Sequence, residues 1–215
     1  MNNNRIRYIL ALALICSLFP ARAQDGSSAY SFMNITASSK IYGLGGVNIS
    51  LVDDDLMSAD QNPALLGQEM SQQVALNYMH YMGGSNFAGL RYAHSAGERG
   101  AWSATINYFG YGSMKETDVA GNIIGDFSPK DVIFGGSYSH DITDNLRGGI
   151  SLKMLYSGYA DYTAFAVATD LGINYYKPEN DMSLSLTVAN LGGQLKRFHE
   201  NYNRLPGAVR IGWSQ

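Results

Sequence analysis

A two-residue alternation of apolar with small or polar side chains runs through the chain from residue 72 to the end. Ile150, Leu152 and Met154, for example, alternate with Ser151 and Lys153. Because successive side chains of a strand point to opposite faces, this pattern predicts eight strands with one apolar face each. The predicted strands centre on residues 74–78, 88–92, 102–108, 132–139, 149–156, 165–175, 183–188 and 208–213. The fold class is therefore predicted to be all-β and antiparallel.

Alternation alone fits a soluble β-sandwich as well as a membrane barrel, because each buries one face of every strand. Three features favour the barrel. Strands of about ten residues, tilted by ~40°, rise ~25 Å, which is the height of the apolar band of outer-membrane barrels. The second face consists mainly of Gly, Ser, Thr and Asn, and tyrosines cluster near strand ends, as at a lipid–water boundary. We therefore predict a transmembrane antiparallel β-barrel.

The N-terminus has the three parts of a secretory signal peptide. Two arginines among the first seven residues precede an apolar run at 8–19, and Pro20 ends that run. Ala21 and Ala23 provide the small residues expected before a cleavage site. We predict a signal peptide over residues 1–23 and export of the remaining chain. No later segment has eighteen consecutive apolar residues, so the sequence predicts no membrane helix.

Charge and cysteine content exclude several classes of function. The net charge is −3 and no segment concentrates Lys or Arg, which disfavours nucleic-acid binding. The single cysteine, Cys16, lies in the predicted signal peptide, so the exported chain is expected to have no disulfide and no thiolate metal site. We predict no cofactor and no bound metal.

The histidines and serines do not form a recognisable catalytic arrangement. The four histidines, at positions 80, 94, 140 and 199, lack the spacing of a zinc helix. Ser95 and Ser139 adjoin His94 and His140, but neighbours along a strand point to opposite faces. Neither pair is expected to act as nucleophile and base, and we predict that the protein is not an enzyme.

Residues 24–71, here called the hatch segment, lack the alternation and are predicted to be irregular with a short helix. Gly45 and Gly46 are expected to form a tight turn, since no Lys-Ser/Thr pair of a phosphate loop follows them. Asn62, Pro63 and Ala64 are expected to form a turn that fixes the exit of the segment.

Three consecutive carboxylates lie in the hatch segment, at Asp53, Asp54 and Asp55. They lack the ligand spacing of a calcium-binding EF-hand loop. We expect them either to cap the helical turn that follows or to meet cations of the strands, such as Arg91 and Lys153.

An eight-stranded barrel encloses little more than its own side chains. The hatch segment would then pack outside, or further strands would follow. We expect the second: residues 72–215 provide about eight strands that do not close the barrel, and the sequence is C-terminally truncated.

The connection at 110–130 is the longest between predicted strands, and loops on a rigid scaffold often carry recognition. It is the best candidate for contact with a surface partner, although a merely solvated loop is equally compatible with its composition. The candidate contact residues are Tyr111, Lys115, Glu116, Asp118, Asn122 and Phe127.

Several motifs, in their order along the chain, resemble the PorQ family. In the hatch segment they are residues 26–32 (GSSAYSF), 44–46 (LGG), 48–51 (NISL), 53–55 (DDD) and 62–66 (NPALL). In the strand region they include residues 77–79 (NYM), 92–94 (YAH), 170–172 (DLG) and 190–192 (NLG). The resemblance covers essentially the whole chain after residue 23, although the LGG and NPA elements are also shared by the related PorV and FadL-like barrels.

This resemblance implies a non-enzymatic outer-membrane β-barrel of the type IX secretion system in a Gram-negative, Bacteroidota-like bacterium. Such barrels are thought to hold a PorZ-like partner within the cell-surface complex that attaches secreted cargo to lipopolysaccharide. The alternative is a FadL-like transporter of hydrophobic small molecules. The mostly small and polar inward residues favour the first role.

Overall fold

The structure is a computed structural model that describes residues 30–36, 38–160, 162–196 and 203–215. The predicted signal peptide, residues 1–23, lies outside the described residues, as does the start of the hatch segment. No helix in these described ranges is long and apolar enough to cross a membrane.

Eight antiparallel strands form one continuous sheet, which confirms the predicted all-β antiparallel fold. The strands of this sheet are β1 (Val74–His80), β2 (Asn86–Ala96), β3 (Gly100–Gly110), β6 (Lys130–Asp141), β7 (Leu146–Tyr159), β8 (Tyr162–Lys177), β9 (Met182–Lys196) and β10 (Ala208–Ser214). Their order in the sheet is their order along the chain, and a separate pair of short strands lies between β3 and β6 in the sequence. The sheet is not closed into a barrel, and β1 and β10 form its two edges.

The long connection between β3 and β6 is more ordered than predicted. It contains a separate two-stranded hairpin of β4 (Met114–Thr117) and β5 (Ile123–Phe127). Its two edges make no pairing with the main sheet. Alternation is short in this segment, which is why the sequence predicted only a loop there.

The connections fall at two ends of the sheet. At one end, here called the short-turn end, the chain turns between β2 and β3, between β6 and β7, and between β8 and β9. At the opposite end, the long-loop end, lie the β4–β5 hairpin, the connection between β9 and β10, and the shorter turns between β1 and β2 and between β7 and β8. The two longest connections thus share one end of the sheet, as in outer-membrane meanders.

The hatch segment lies on one face of the sheet and consists of short helical turns. Its described residues, 30–36 and 38–71, contain one α-helix, α1 (Ser39–Gly43), and four 3-10 turns at Ser31–Asn34, Leu56–Asp60, Pro63–Leu65 and Gln68–Met70. The helical turn expected after the three carboxylates is therefore a 3-10 turn, and the α-helix comes earlier, capped by the hydroxyl of Ser38.

Candidate functional site

The two faces of the sheet have opposite chemistry, and β8 shows this most clearly. Its residues alternate between exposed or half-buried and buried over twelve successive positions. The exposed face carries Phe165, Val167, Thr169, Leu171, Ile173 and Tyr175, whereas the buried face carries Ala164, Ala166, Ala168, Asp170, Gly172 and Asn174. Apolar side chains therefore point away from the protein, here called outward, and polar or small ones point toward the hatch segment, here called inward.

The outward face is apolar along every strand of the main sheet. Leu76 on β1 is 78% exposed, Met154 on β7 is 56% exposed and Ile211 on β10 is 78% exposed. Soluble monomers rarely expose contiguous apolar patches larger than a few hundred Å². A face of this kind is therefore expected to be covered by lipid or by another protein.

Aromatic residues border this outward face at both ends of the strands. Near the long-loop end, Tyr78, Tyr108, Tyr156 and Phe165 lie in one row of paired residues across the sheet. Near the short-turn end lie Tyr92, Trp102, Tyr138, Tyr175 and Trp213. On β8, the ten residue-to-residue steps from Phe165 to Tyr175 span ~33 Å along the strand, or ~25 Å along the normal at a tilt of ~40°.

The inward face can be both polar and buried because its polar groups form hydrogen bonds and ion pairs with one another. The buried Asp170 carboxylate accepts hydrogen bonds from the Ser151 hydroxyl at 2.8 Å and from the Asn190 backbone N–H at 2.7 Å. The Lys153 ammonium lies 2.6 Å from the same carboxylate. Removal of the Lys153 ammonium would leave the Asp170 charge buried without a counter-charge.

Asp170 also holds a β-bulge in the neighbouring strand. The pairing of β8 with β9 shifts beside Asp170, and Asn190 opposite has a φ of 58°. Both Ala189 and Asn190 are buried, whereas Val188 before them and Leu191 after them lie on the more exposed side. The extra residue keeps apolar side chains outward on both sides of the bulge.

Arg91 links the sheet to the hatch segment. Its side chain is buried, lies 3.5 Å from the Asp60 carboxylate and donates to the Leu56 carbonyl at 3.4 Å. The expectation that Arg91 and Lys153 meet Asp53, Asp54 or Asp55 is therefore wrong: Arg91 pairs with Asp60 and Lys153 pairs with Asp170.

The three carboxylates of the hatch segment act locally instead. Asp53 pairs with Lys40 of α1, and the hydrogen bond from that ammonium lowers the pKa of the Asp53 carboxyl. Asp54 is exposed. Asp55 caps the following 3-10 turn by accepting from the Met57 N–H at 3.0 Å, which is the first of the two roles that the sequence left open.

Asn62, Pro63 and Ala64 lie directly against the sheet. Asn62 is fully buried, donates to the Ile49 carbonyl at 2.7 Å and accepts from the Ala64 N–H at 3.0 Å. This turn packs on Gly149 and Gly172, which are paired across β7 and β8. A β-carbon at Gly172 would lie 2.0 Å from the Asn62 Oδ1 atom, and one at Gly149 would lie 2.4 Å from the Pro63 carbonyl carbon.

These two glycines were missed at the sequence level. Their only signal is that each is a glycine at an inward position of a long strand, which commonly marks a close backbone approach.

Gly45 and Gly46 form a turn after α1, with φ values of 111° and 84° that favour glycine. Gln61 fixes this turn from the other end of the hatch segment. Its side chain donates to the Gly46 carbonyl at 2.9 Å and accepts from the Asn48 N–H at 2.7 Å.

The candidate partner residues of the 110–130 connection do not all lie on one surface. Lys115 and Glu116 are exposed on β4, and Lys115 pairs with Asp126 of β5 at 2.7 Å. Asp118 and Asn122 close the hairpin: the Asp118 carboxylate accepts from the Asn122 N–H at 2.8 Å. Phe127, at the end of β5, is half-buried.

Tyr111 differs from the other candidates because it turns inward. Its hydroxyl donates to the buried Asp131 carboxylate at 2.6 Å, and Tyr159 donates to the same oxygen at 3.0 Å. Burial raises the pKa of the Tyr111 hydroxyl, so the group remains a hydrogen-bond donor. The prediction that Tyr111 contacts a surface partner is not supported by this position.

The described residues include no cluster of three or more His, Cys, Asp or Glu side chains that could hold a metal ion. Ser139 donates to the Leu66 carbonyl at 2.7 Å on the inward face, whereas its neighbour His140 is exposed.

The chain matches no model of a known protein family, and no curated protein gives a significant match to its sequence.

Proposed function

We propose that this protein is a non-enzymatic integral β-barrel protein of the outer membrane, with its outward face against hydrocarbon and its hatch segment as an internal plug. The observation that carries this proposal is the inverted sheet: apolar side chains are exposed on one face, and hydrogen-bonded polar side chains are buried under the hatch segment on the other. In a bilayer the outward side chains contact lipid tails, so that their exposure carries no hydrophobic penalty.

The proposal requires a closed sheet. Backbone N–H and C=O groups at the free edges of β1 and β10 would find no hydrogen-bond partner in hydrocarbon. Further strands beyond the eight described are therefore part of the proposal, and they would leave room for the hatch segment inside.

The more specific role we propose is attachment of a PorZ-like surface partner within a type IX secretion complex. It is supported by the ordered set of motifs that resembles the PorQ family and by the β4–β5 hairpin at the long-loop end. That end faces outside the cell in barrels of this architecture. The hairpin presents Val119, Ile123 and Ile124 to solvent.

The competing role is FadL-like transport of a hydrophobic small molecule, for which an apolar tunnel would be required. The inward face instead carries the Asp170, Lys153 and Arg91 charges and contacts the hatch segment. These features favour a scaffold.

A deletion strain separates the two roles. Loss of the protein should release secreted cargo from the cell surface and leave uptake of labelled long-chain fatty acid unchanged. Complementation with a variant whose residues 114–127 are replaced by a short Gly-Ser linker should restore the membrane protein without restoring cargo retention. Saturable fatty-acid uptake that depends on the protein, with surface cargo intact, would contradict the scaffold role.

A further inference from the structure

The outward face has a depression between β3, β6 and β7. Gly136 on β6 is paired with Ala104 on β3, so two small residues lie side by side between the larger Trp102–Tyr138 and Ile106–Phe134 pairs. The resulting open groove has a volume of about 400 Å³. Its apolar walls are the side chains of Trp102, Tyr138, Ile150 and Leu152.

The groove is not forced by crowding of the backbone. A β-carbon at Gly136 would meet a single atom within 4 Å, the Ser103 carbonyl oxygen at 3.8 Å, which is an ordinary contact. At the adjacent inward Gly135, by contrast, a β-carbon would lie 2.7 Å from the Thr105 Cγ2 atom. Glycine weakens a strand relative to residues with side chains. Gly136 therefore leaves open a space that a larger residue could fill without strain.

One end of the groove is polar and the other is not. At the short-turn end, the Tyr138 hydroxyl lies 3.4 Å from the His140 Nδ1 atom, and the Trp102 ring packs against Tyr92 with centroids 5.8 Å apart. Toward the middle of the strands, the next outward residues are Phe134 and Ile106. A ligand that fits this gradient has a polar group at one end and a hydrocarbon chain along the groove.

We propose that this groove binds one acyl chain of a phospholipid, with the headgroup beside Tyr138 and His140. The inference rests on the proposed membrane location and deepens it. The occupant follows from continuity: the groove opens on the face that hydrocarbon is proposed to cover, its side walls are uncharged, and its polar end coincides with the aromatic row at the short-turn end. Amphipathic rings with polar tips lie at the headgroup level of membranes.

The two tryptophans of the chain make the test direct, because Trp102 lines the groove and Trp213 lies on the same face at β10. Trp213→Phe leaves Trp102 as the only tryptophan, and Trp102→Phe leaves Trp213. Each protein is delipidated in detergent and titrated with phosphatidylethanolamine brominated on its acyl chains. We expect saturable quenching of Trp102 at lipid ratios where Trp213 shows only gradual quenching.

Gly136→Leu in the Trp213→Phe background fills the groove and should abolish the saturable component. Gly136→Ala is a smaller change that should weaken the saturable component. This variant provides the test if the leucine variant does not fold. Ala88→Leu adds bulk to the same outward face outside the groove and should leave the quenching curve unchanged.

The remaining outcomes overturn the inference in distinguishable ways. If both tryptophans are quenched gradually and Gly136→Leu has no effect, the outward face contacts lipid but the groove does not bind an acyl chain specifically. If neither tryptophan is quenched, in detergent or in vesicles, the membrane proposal fails as well. If Trp102 is protected by a second copy of the chain, shown by cross-linking through the groove, the occupant is protein and the lipid site is wrong.

Discussion

The hatch segment and the strands bury opposite kinds of side chain. In the hatch segment, apolar residues such as Tyr30, Leu56 and Leu66 are buried, as in a soluble protein. In the strands, apolar residues such as Met154 and Ile211 are exposed, whereas Asp170 is 1% exposed. Both regions belong to one chain and contact each other, and we attribute the difference to the lipid that we propose around the strands.

The inward face of the sheet contacts the hatch segment through apolar residues and also holds paired polar groups of its own. Its alanines and a few large residues receive the apolar side chains of the hatch segment: Ala93 and Ala101 pack with Leu56, Leu66 and Met70. The rest of the inward face holds hydrogen-bonded charges and hydroxyls. The hatch segment thus packs as in a water-soluble protein, against a sheet whose other face is the one that we propose to contact lipid.

The largest expected effect tests the paired charges of the inward face. Lys153→Met leaves the buried Asp170 carboxylate without its cation, and breaking a buried ion pair in this way costs ~3–5 kcal/mol. Unfolding by urea in lipid vesicles should show this loss. The double variant Lys153→Met, Asp170→Asn removes both charges and should recover part of it; a single variant as stable as the wild type would refute the burial of this pair.

The adjacent residue tests the outward face. Met154→Arg places a cation among outward side chains near the middle of the strands and should reduce the free energy of unfolding in vesicles by ~2–4 kcal/mol if lipid covers them. On a water-exposed face the same change would cost less than ~0.5 kcal/mol. Met154→Leu is the matched control, and equal stability of the two variants would refute the membrane-facing assignment.

A smaller effect is expected where the two regions touch. Gly172→Ala drives a β-carbon against the Asn62 amide, and overpacking of this kind costs ~1–3 kcal/mol. The hatch segment should become more sensitive to limited proteolysis while the strands remain protected. Gly136→Ala, on the outward face of β6, is the control and should leave the proteolysis pattern unchanged.

The smallest effect concerns the exposed hairpin. Hydrogen bonds from Asn122, and from the Ala120 N–H, lower the pKa of the Asp118 carboxyl. A carboxyl with a lowered folded pKa stabilises the folded turn above its ordinary pKa and loses that contribution as the pH falls through the lowered value. Amide chemical shifts of Ala120 and Asn122 should therefore change only in acid, and Asp118→Asn should abolish the transition.

The strands could be predicted from the sequence because their signal is local: alternation along β8 or β3 requires no knowledge of distant residues. The partners of Arg91 and Lys153 could not be predicted, since Asp60 and Asp170 are brought to them by the fold. For the same reason, neither the packing of Asn62 on Gly172 nor the inward orientation of Tyr111 could be predicted from the sequence.

A spin-label scan along β8 shows directly whether the outward face of the sheet contacts lipid. Single cysteines are introduced from 165 to 175 in a Cys16→Ser background, which removes the chain's single native cysteine. The labelled proteins are reconstituted in lipid vesicles, and collisions with oxygen and with a water-soluble nickel complex are measured. We expect a two-residue oscillation, with labels at Val167, Thr169, Leu171 and Ile173 accessible to oxygen and shielded from nickel. Labels at these positions that collide freely with the nickel complex would contradict the proposed contact of this face with lipid.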